Sequence, residues 1–87
     1  MGKLQNMQAN LSYRKNELAE LEAYRLRLLS EYNDVDAKWI LNKRNKELAT
    51  YRKELQYDLK CVNGRINTKI NQIVKLEKDI MTNTGGY

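Results

Sequence analysis

The chain has 87 residues, no proline, no histidine and a single cysteine, and its 16 Lys and Arg against 11 Asp and Glu give a net charge of +5. That length limits it to one domain, and a small chain buries little of its surface unless a disulfide, a metal or a partner helps. A lone cysteine excludes an internal disulfide, and the missing histidine excludes Cys/His zinc sites and the usual general base, so a partner chain is the remaining remedy.

The first residues, Met1-Gly2-Lys3-Leu4-Gln5-Asn6, carry no apolar stretch of signal-peptide type. No apolar run approaches the ~20 residues that cross a bilayer. The expectation is a cytoplasmic protein with no membrane insertion; any export takes a route that needs no cleavable signal. Cys61 agrees with a reducing compartment and reads as a small helix residue rather than a reactive thiol.

Good helix formers dominate the composition, and their spacing decides the fold class. Leu4, Met7, Leu11, Arg14, Leu18, Leu21, Arg25, Leu28, Tyr32, Val35 and Trp39 alternate steps of three and four. That is a heptad seam, interrupted by two cations. Past Trp39 the phase is lost, since Asn42, Lys46, Ala49 and Lys53 form no apolar stripe.

A new register takes over, with Leu41, Leu48, Leu55, Val62 and Leu76 in one heptad position and Leu59, Ile66, Ile73 and Ile80 in the other. Asn45, Arg52 and Lys69 are its polar interruptions. The break falls on Asn42-Lys43-Arg44-Asn45, where an asparagine can adopt the left-handed conformation that ends a helix and Asn45 can cap the next one. A rival turn at Asn33-Asp34-Val35-Asp36 has good caps but leaves helices of very unequal length. The expected architecture is an all-α, two-helix antiparallel hairpin with its turn near residues 40–45. The helices span about residues 3–41 and 45–82, each roughly 55–60 Å long at 1.5 Å per residue, and residues 83–87 form a flexible tail. Gly64 interrupts the second helix at a cost of ~1 kcal/mol relative to Ala. It either admits another helix at close range or marks local fraying.

Charge is unevenly placed. Lys38, Lys43, Arg44, Lys46, Arg52 and Lys53 face only Glu47 within residues 38–53, which therefore hold the whole excess of positive charge. With Trp39 and Tyr51 interleaved, the segment has the makings of a phosphate-binding patch. No nucleic-acid motif accompanies it, and a solvated basic turn is the favoured reading. Glu17, Glu20 and Glu22 likewise read as a solvated helix face. No cofactor and no catalytic residue are expected, and the chain is read as not an enzyme.

The adjacent trio Trp39, Ile40 and Leu41 cannot all face one partner helix, because neighbours on a helix diverge by ~100°. Trp39 either covers the end of the core by packing over Leu48 or anchors an interface, and the two roles are compatible. Tyr13, Tyr24, Leu26 and Leu29 lie off the first seam, and Tyr51, Ile70 and Val74 off the second. This surplus predicts a further helix, from a second copy or another protein. The partner-binding candidates are Trp39, Ile40, Leu41, Tyr32, Leu48 and Tyr51.

An N-terminal heptad helix (Leu4 to Leu29), Trp39 near the turn and a Glu/Lys/Arg-rich second helix ending in Ile66-Asn67-Thr68-Lys69-Ile70-Asn71-Gln72-Ile73-Val74-Lys75-Leu76-Glu77-Lys78-Asp79-Ile80 together carry a family resemblance. The chain resembles the WXG-type helical hairpins of bacterial type VII secretion, in particular the small helical proteins encoded beside LXG toxins. The family's Gly two residues after Trp is Leu41 here. A Tyr-x-x-x-acid spacing occurs at Tyr13 and Glu17 and at Tyr32 and Asp36, but not after the second helix, where that family's export signal sits. The resemblance implies an adaptor that binds the helical N-terminal region of a secreted toxin, or a second small helical protein, and can be co-exported with it. The alternatives from the residues are a homo-oligomeric coiled coil in a structural or phage assembly, and a basic hairpin that binds nucleic acid.

Overall fold

The protein's computed structural model describes the backbone of residues 2–85 and the side chains of residues 2–82. Two helices, α1 (Gly2–Leu41) and α2 (Lys46–Gly85), pack antiparallel into a rod of 65 × 14 × 14 Å. The described residues contain no strand.

The heptad pattern explains the packing almost residue by residue. Every α1 seam position from Leu4 to Trp39 is at least half-buried, and the other α1 positions with described side chains are exposed except Glu17 and Asp36. Along α2 the seam from Asn45 to Ile80 is covered in the same way, joined only by Ala49. Leu28, Leu55, Val62 and Ile66 form the buried centre, with Leu18, Leu21, Tyr32, Val35 and Leu59 packed against it. Full burial of each such side chain is worth ~1.5–3 kcal/mol.

Leu41 departs from the expected second seam. It is the last residue of α1 and 88% exposed. Two residues beyond Trp39 on the same helix, it is carried well off the seam, and α2 takes up its own register only at Asn45.

The cations at seam positions are tolerated through cross-helix partners. Arg14 donates to Gln72 at 3.1 Å, Lys69 lies 3.2 Å from Glu17, and Arg52 donates to Asp36 at 2.6 Å. Lys15 to Glu77 at 3.6 Å fixes the same antiparallel register from the other flank. Arg25 is the exception: its Nε is buried with no hydrogen-bond acceptor among the described residues.

The turn forms at 42–45 and residues 33–36 stay helical. Asn42 N–H closes α1 by donating to the carbonyls of both Lys38 and Trp39, and Asn45 N–H donates to the Asn42 carbonyl at 3.1 Å. No described non-glycine residue has a positive φ, so the expected left-handed asparagine is not used. A turn closed by a bond from residue i to i+3 can be made in right-handed backbone alone, and here that suffices. Asn45 Oδ1 accepts from Glu47 N–H at 3.0 Å and Leu48 N–H at 3.2 Å, capping α2. Glu47 in the first turn adds a favourable charge at the helix N-terminus.

The second helix continues to Gly85, past the end expected at 82, so 83–85 are helical rather than tail. Within this last stretch the Thr82 hydroxyl donates to the Lys78 carbonyl instead of breaking the helix. Gly86 and Tyr87, the rest of the expected tail, lie outside the described residues.

Gly64 sits in unbroken helix, and a Cβ built on it meets nothing within 4 Å. Fraying is therefore not its explanation. In the isolated hairpin Gly64→Ala is expected to raise stability by about 0.5–1 kcal/mol, read as a shift of the urea midpoint at unchanged slope.

Candidate functional site

The end of the rod near the turn is built around Arg52. Its guanidinium lies 4.4 Å from the Trp39 ring centroid and 5.5 Å from that of Tyr32, two rings a heptad apart on α1. Asp36, one turn from each ring, holds the same guanidinium at 2.6 Å. Hydrogen bonding to Asp36, set against some desolvation, raises the Arg52 pKa. The sequence puts Arg52 both among the polar interruptions of the second seam and in the basic segment, and the structure keeps it on the seam, turned into the hairpin. A cation over aromatic faces beside a carboxylate is a stable way to fill a seam position with a long side chain.

The rest of the basic segment divides differently. Lys43 lies 5.5 Å from the Trp39 ring centroid. Lys38, Arg44, Lys46 and Lys53 are exposed. The segment is therefore not one continuous patch of six cations.

Trp39, Tyr32 and Leu48 are half-buried, and Ile40, Leu41 and Tyr51 are exposed. Of the expected binding candidates, Trp39 and Tyr32 are brought together under Arg52, while Ile40 and Leu41 project away. Trp39 Nε1 is buried without an acceptor among the described residues, so packing and cations hold the ring in place. Gln56 donates to the Tyr32 hydroxyl at 3.0 Å. Tyr51 donates to the Glu31 carboxylate at 3.1 Å, and that hydrogen bond, followed by the Glu31 charge, raises the Tyr51 pKa.

Along its length the rod has two unlike sides. One carries Lys15, Asp36 and Gln56, and there Leu26, Leu29 and Ile40 of α1 and Ile70 and Val74 of α2 are exposed at heptad-related positions. The other carries the Glu31–Tyr51 bond and a groove of about 840 Å³ between the helices. Leu21, Tyr24 and the small residues Cys61, Gly64 and Thr68 line that groove. Charged rims at Glu20 and Arg65 border it. Cys61 is exposed, and the Tyr57 hydroxyl beside it has its pKa raised by hydrogen bonding to the thiol.

Sequence periodicity located the surplus apolar residues but did not single out this groove. The signal was available only after the register was known, because the groove needs Tyr24 set level with the Cys61–Gly64 stretch. Among the described residues no group of three or more potential metal ligands gathers, and no described helix is long and apolar enough to cross a membrane. Comparison with known proteins found no matching family, no matching curated protein and no matching solved structure.

Proposed function

We propose that the hairpin is a non-enzymatic helical adaptor that binds a helical segment of another protein along its apolar side. The LXG-type toxin of a type VII secretion system is the partner class that the sequence resemblance suggests. Export with that toxin from the cytoplasm belongs to the same proposal.

The observation that carries the reading is the exposure of Leu26, Leu29, Ile40, Ile70 and Val74 on one side of a rod whose own seam is already filled. A rod two helices thick has no further layer to cover them, and a helix laid along that side removes them from water at ~25 cal/mol per Å², less the ordering cost. Exposed apolar positions at helical spacing are the imprint expected for helix-in-groove recognition.

The test is a calorimetric titration of the purified hairpin with the N-terminal helical region of an LXG-type toxin encoded beside it. Leu26→Asp combined with Val74→Asp is expected to weaken binding at least about tenfold, ~1.4 kcal/mol, with the helical circular-dichroism signal unchanged. Unchanged affinity, or no association between the wild-type chains, sinks the reading.

A further inference from the structure

The turn end of the rod combines apolar exposure with charge of one sign. Leu41 is 88% exposed and Ile40 56%, so the helix that buries its seam as far as Trp39 ends on two aliphatic side chains in water. Residues 37–46 contain Lys38, Lys43, Arg44 and Lys46 and no acid, and all four cations are exposed. At 1.5 Å per residue Lys38 lies only about 5 Å behind Leu41 along α1, and Lys46 opens α2. Of the nearest acids, Asp36 is held by Arg52, and Glu47 alone stands exposed beside the cations.

We propose that this tip docks end-on to the surface of an anionic lipid bilayer. The cations sit among the charged headgroups, and Leu41 with Ile40 enters the boundary between headgroups and acyl chains. A basic cluster and a short apolar insertion together hold a protein at such a surface where either alone holds it weakly. The attachment is peripheral, in keeping with described helices that are not apolar enough to cross a membrane.

Shape favours a bilayer over a protein as the occupant. The end of the rod measures 14 × 14 Å, roughly 200 Å², against the ~800 Å² that each partner gives to a standard protein interface. A protein surface cannot close around so small and convex a tip, whereas the headgroups of a fluid bilayer part to admit it. The apolar content favours a bilayer over nucleic acid. Phosphodiesters reward the cations but offer Leu41 and Ile40 no apolar contact. Trp39, the ring that could stack on a base, is half-buried, with Arg52 4.4 Å and Lys43 5.5 Å from its centroid.

Charge placement also sets the posture. Outside residues 38–53 the cations and acids balance, so the whole excess positive charge lies at one end of the rod. A rod lying flat brings as many acids as cations to the surface along most of its length. A rod standing on its turn brings the unopposed cations of the tip within the ~8 Å screening length at physiological salt and keeps most of the balanced remainder beyond it. The proposal concerns the free hairpin and does not depend on the adaptor reading; a helical partner that covers Ile40 and Leu41 competes with the bilayer.

The test is co-sedimentation of the full chain with vesicles of mixed phosphatidylserine and phosphatidylcholine, and with vesicles of phosphatidylcholine alone. Wild type is expected to bind the first and not the second, and to bind less as salt rises. Lys43→Glu with Arg44→Glu is expected to weaken binding at least about tenfold, since each basic residue at an anionic surface contributes roughly fivefold. Lys60→Glu with Lys75→Glu, at exposed positions far along α2, makes the same change in net charge and is expected to stay within about threefold of wild type. Leu41→Ser is expected to weaken binding about threefold or more at constant salt. A polarity-sensitive dye on Asn42→Cys in a Cys61→Ser background is expected to shift to the blue on the anionic vesicles. The same dye on Leu26→Cys, about 22 Å from Leu41 along α1, is expected not to shift. Equal losses from the two double variants, an unchanged Leu41→Ser, a shift of the dye at position 26 or no binding of wild type overturns the proposal. Tight binding to a DNA duplex with none to the vesicles overturns it in favour of nucleic acid. Circular dichroism of each variant shows that the hairpin itself is folded.

Discussion

Val62→Asp is expected to leave the isolated chain unfolded, with loss of most helical circular dichroism and no cooperative melt. Val62 is the most buried of the core side chains at 2% exposed, and it sits in the cluster with Leu28, Leu55 and Ile66. The substitution removes apolar burial and also places a carboxylate at the most buried position of the seam. The desolvation cost is several kcal/mol even after a pKa shift neutralises the group. A chain of this size has little stability to lose, since even ordinary domains hold only ~5–15 kcal/mol. Asn63→Asp, one residue along on an exposed position, is the control and is expected to melt with the wild type. A Val62→Asp variant melting within a few degrees of wild type would show that the seam is not what holds the hairpin together.

The seam is also where sequence and structure agree most closely, and the reason is physical. A two-helix rod has one interface per helix, so the three-four alternation from Leu4 to Trp39 maps directly onto burial with nothing to compete against it. The turn was legible for a similar reason. Both a loss of phase and an asparagine able to cap fell within 42–45, and the Asn45 cap bonds form as that reading requires.

What was not legible depended on the register between helices. The seam position of Arg52 is legible in the heptad, but its partners Asp36, Tyr32 and Trp39 emerge only when the helices are paired. Leu41 looks like a heptad residue of α2 until the turn is fixed one residue beyond it. Apolar periodicity fixes which face of a helix is inward, but only cross-helix pairs fix how far one helix slides along the other.

Trp39 and its neighbours give the last test, because the core and interface roles of this trio separate by exposure. Trp39 is half-buried, with Arg52 and Lys43 over its ring, whereas Ile40 is 56% exposed and Leu41 88% exposed. Complete burial of a large aromatic makes truncation to Ala cost ~3–5 kcal/mol. Half burial next to a turn brings the expectation for Trp39→Ala to about 2 kcal/mol, felt as a lower urea midpoint in the free hairpin. Ile40→Ser with Leu41→Ser touches nothing in the seam and is expected to stay within about 0.5 kcal/mol of wild type. Binding reverses the order. Once the hairpin is fully folded, Trp39→Ala is expected to change partner affinity by less than about threefold, whereas the double serine variant is expected to weaken it at least about tenfold. Urea titration of the free chain and calorimetry with the partner at saturating folded fraction measure the two effects separately. Should Trp39→Ala leave stability untouched and abolish binding, the ring belongs to the partner, and the packing of Arg52 over it serves to present it rather than to bury it.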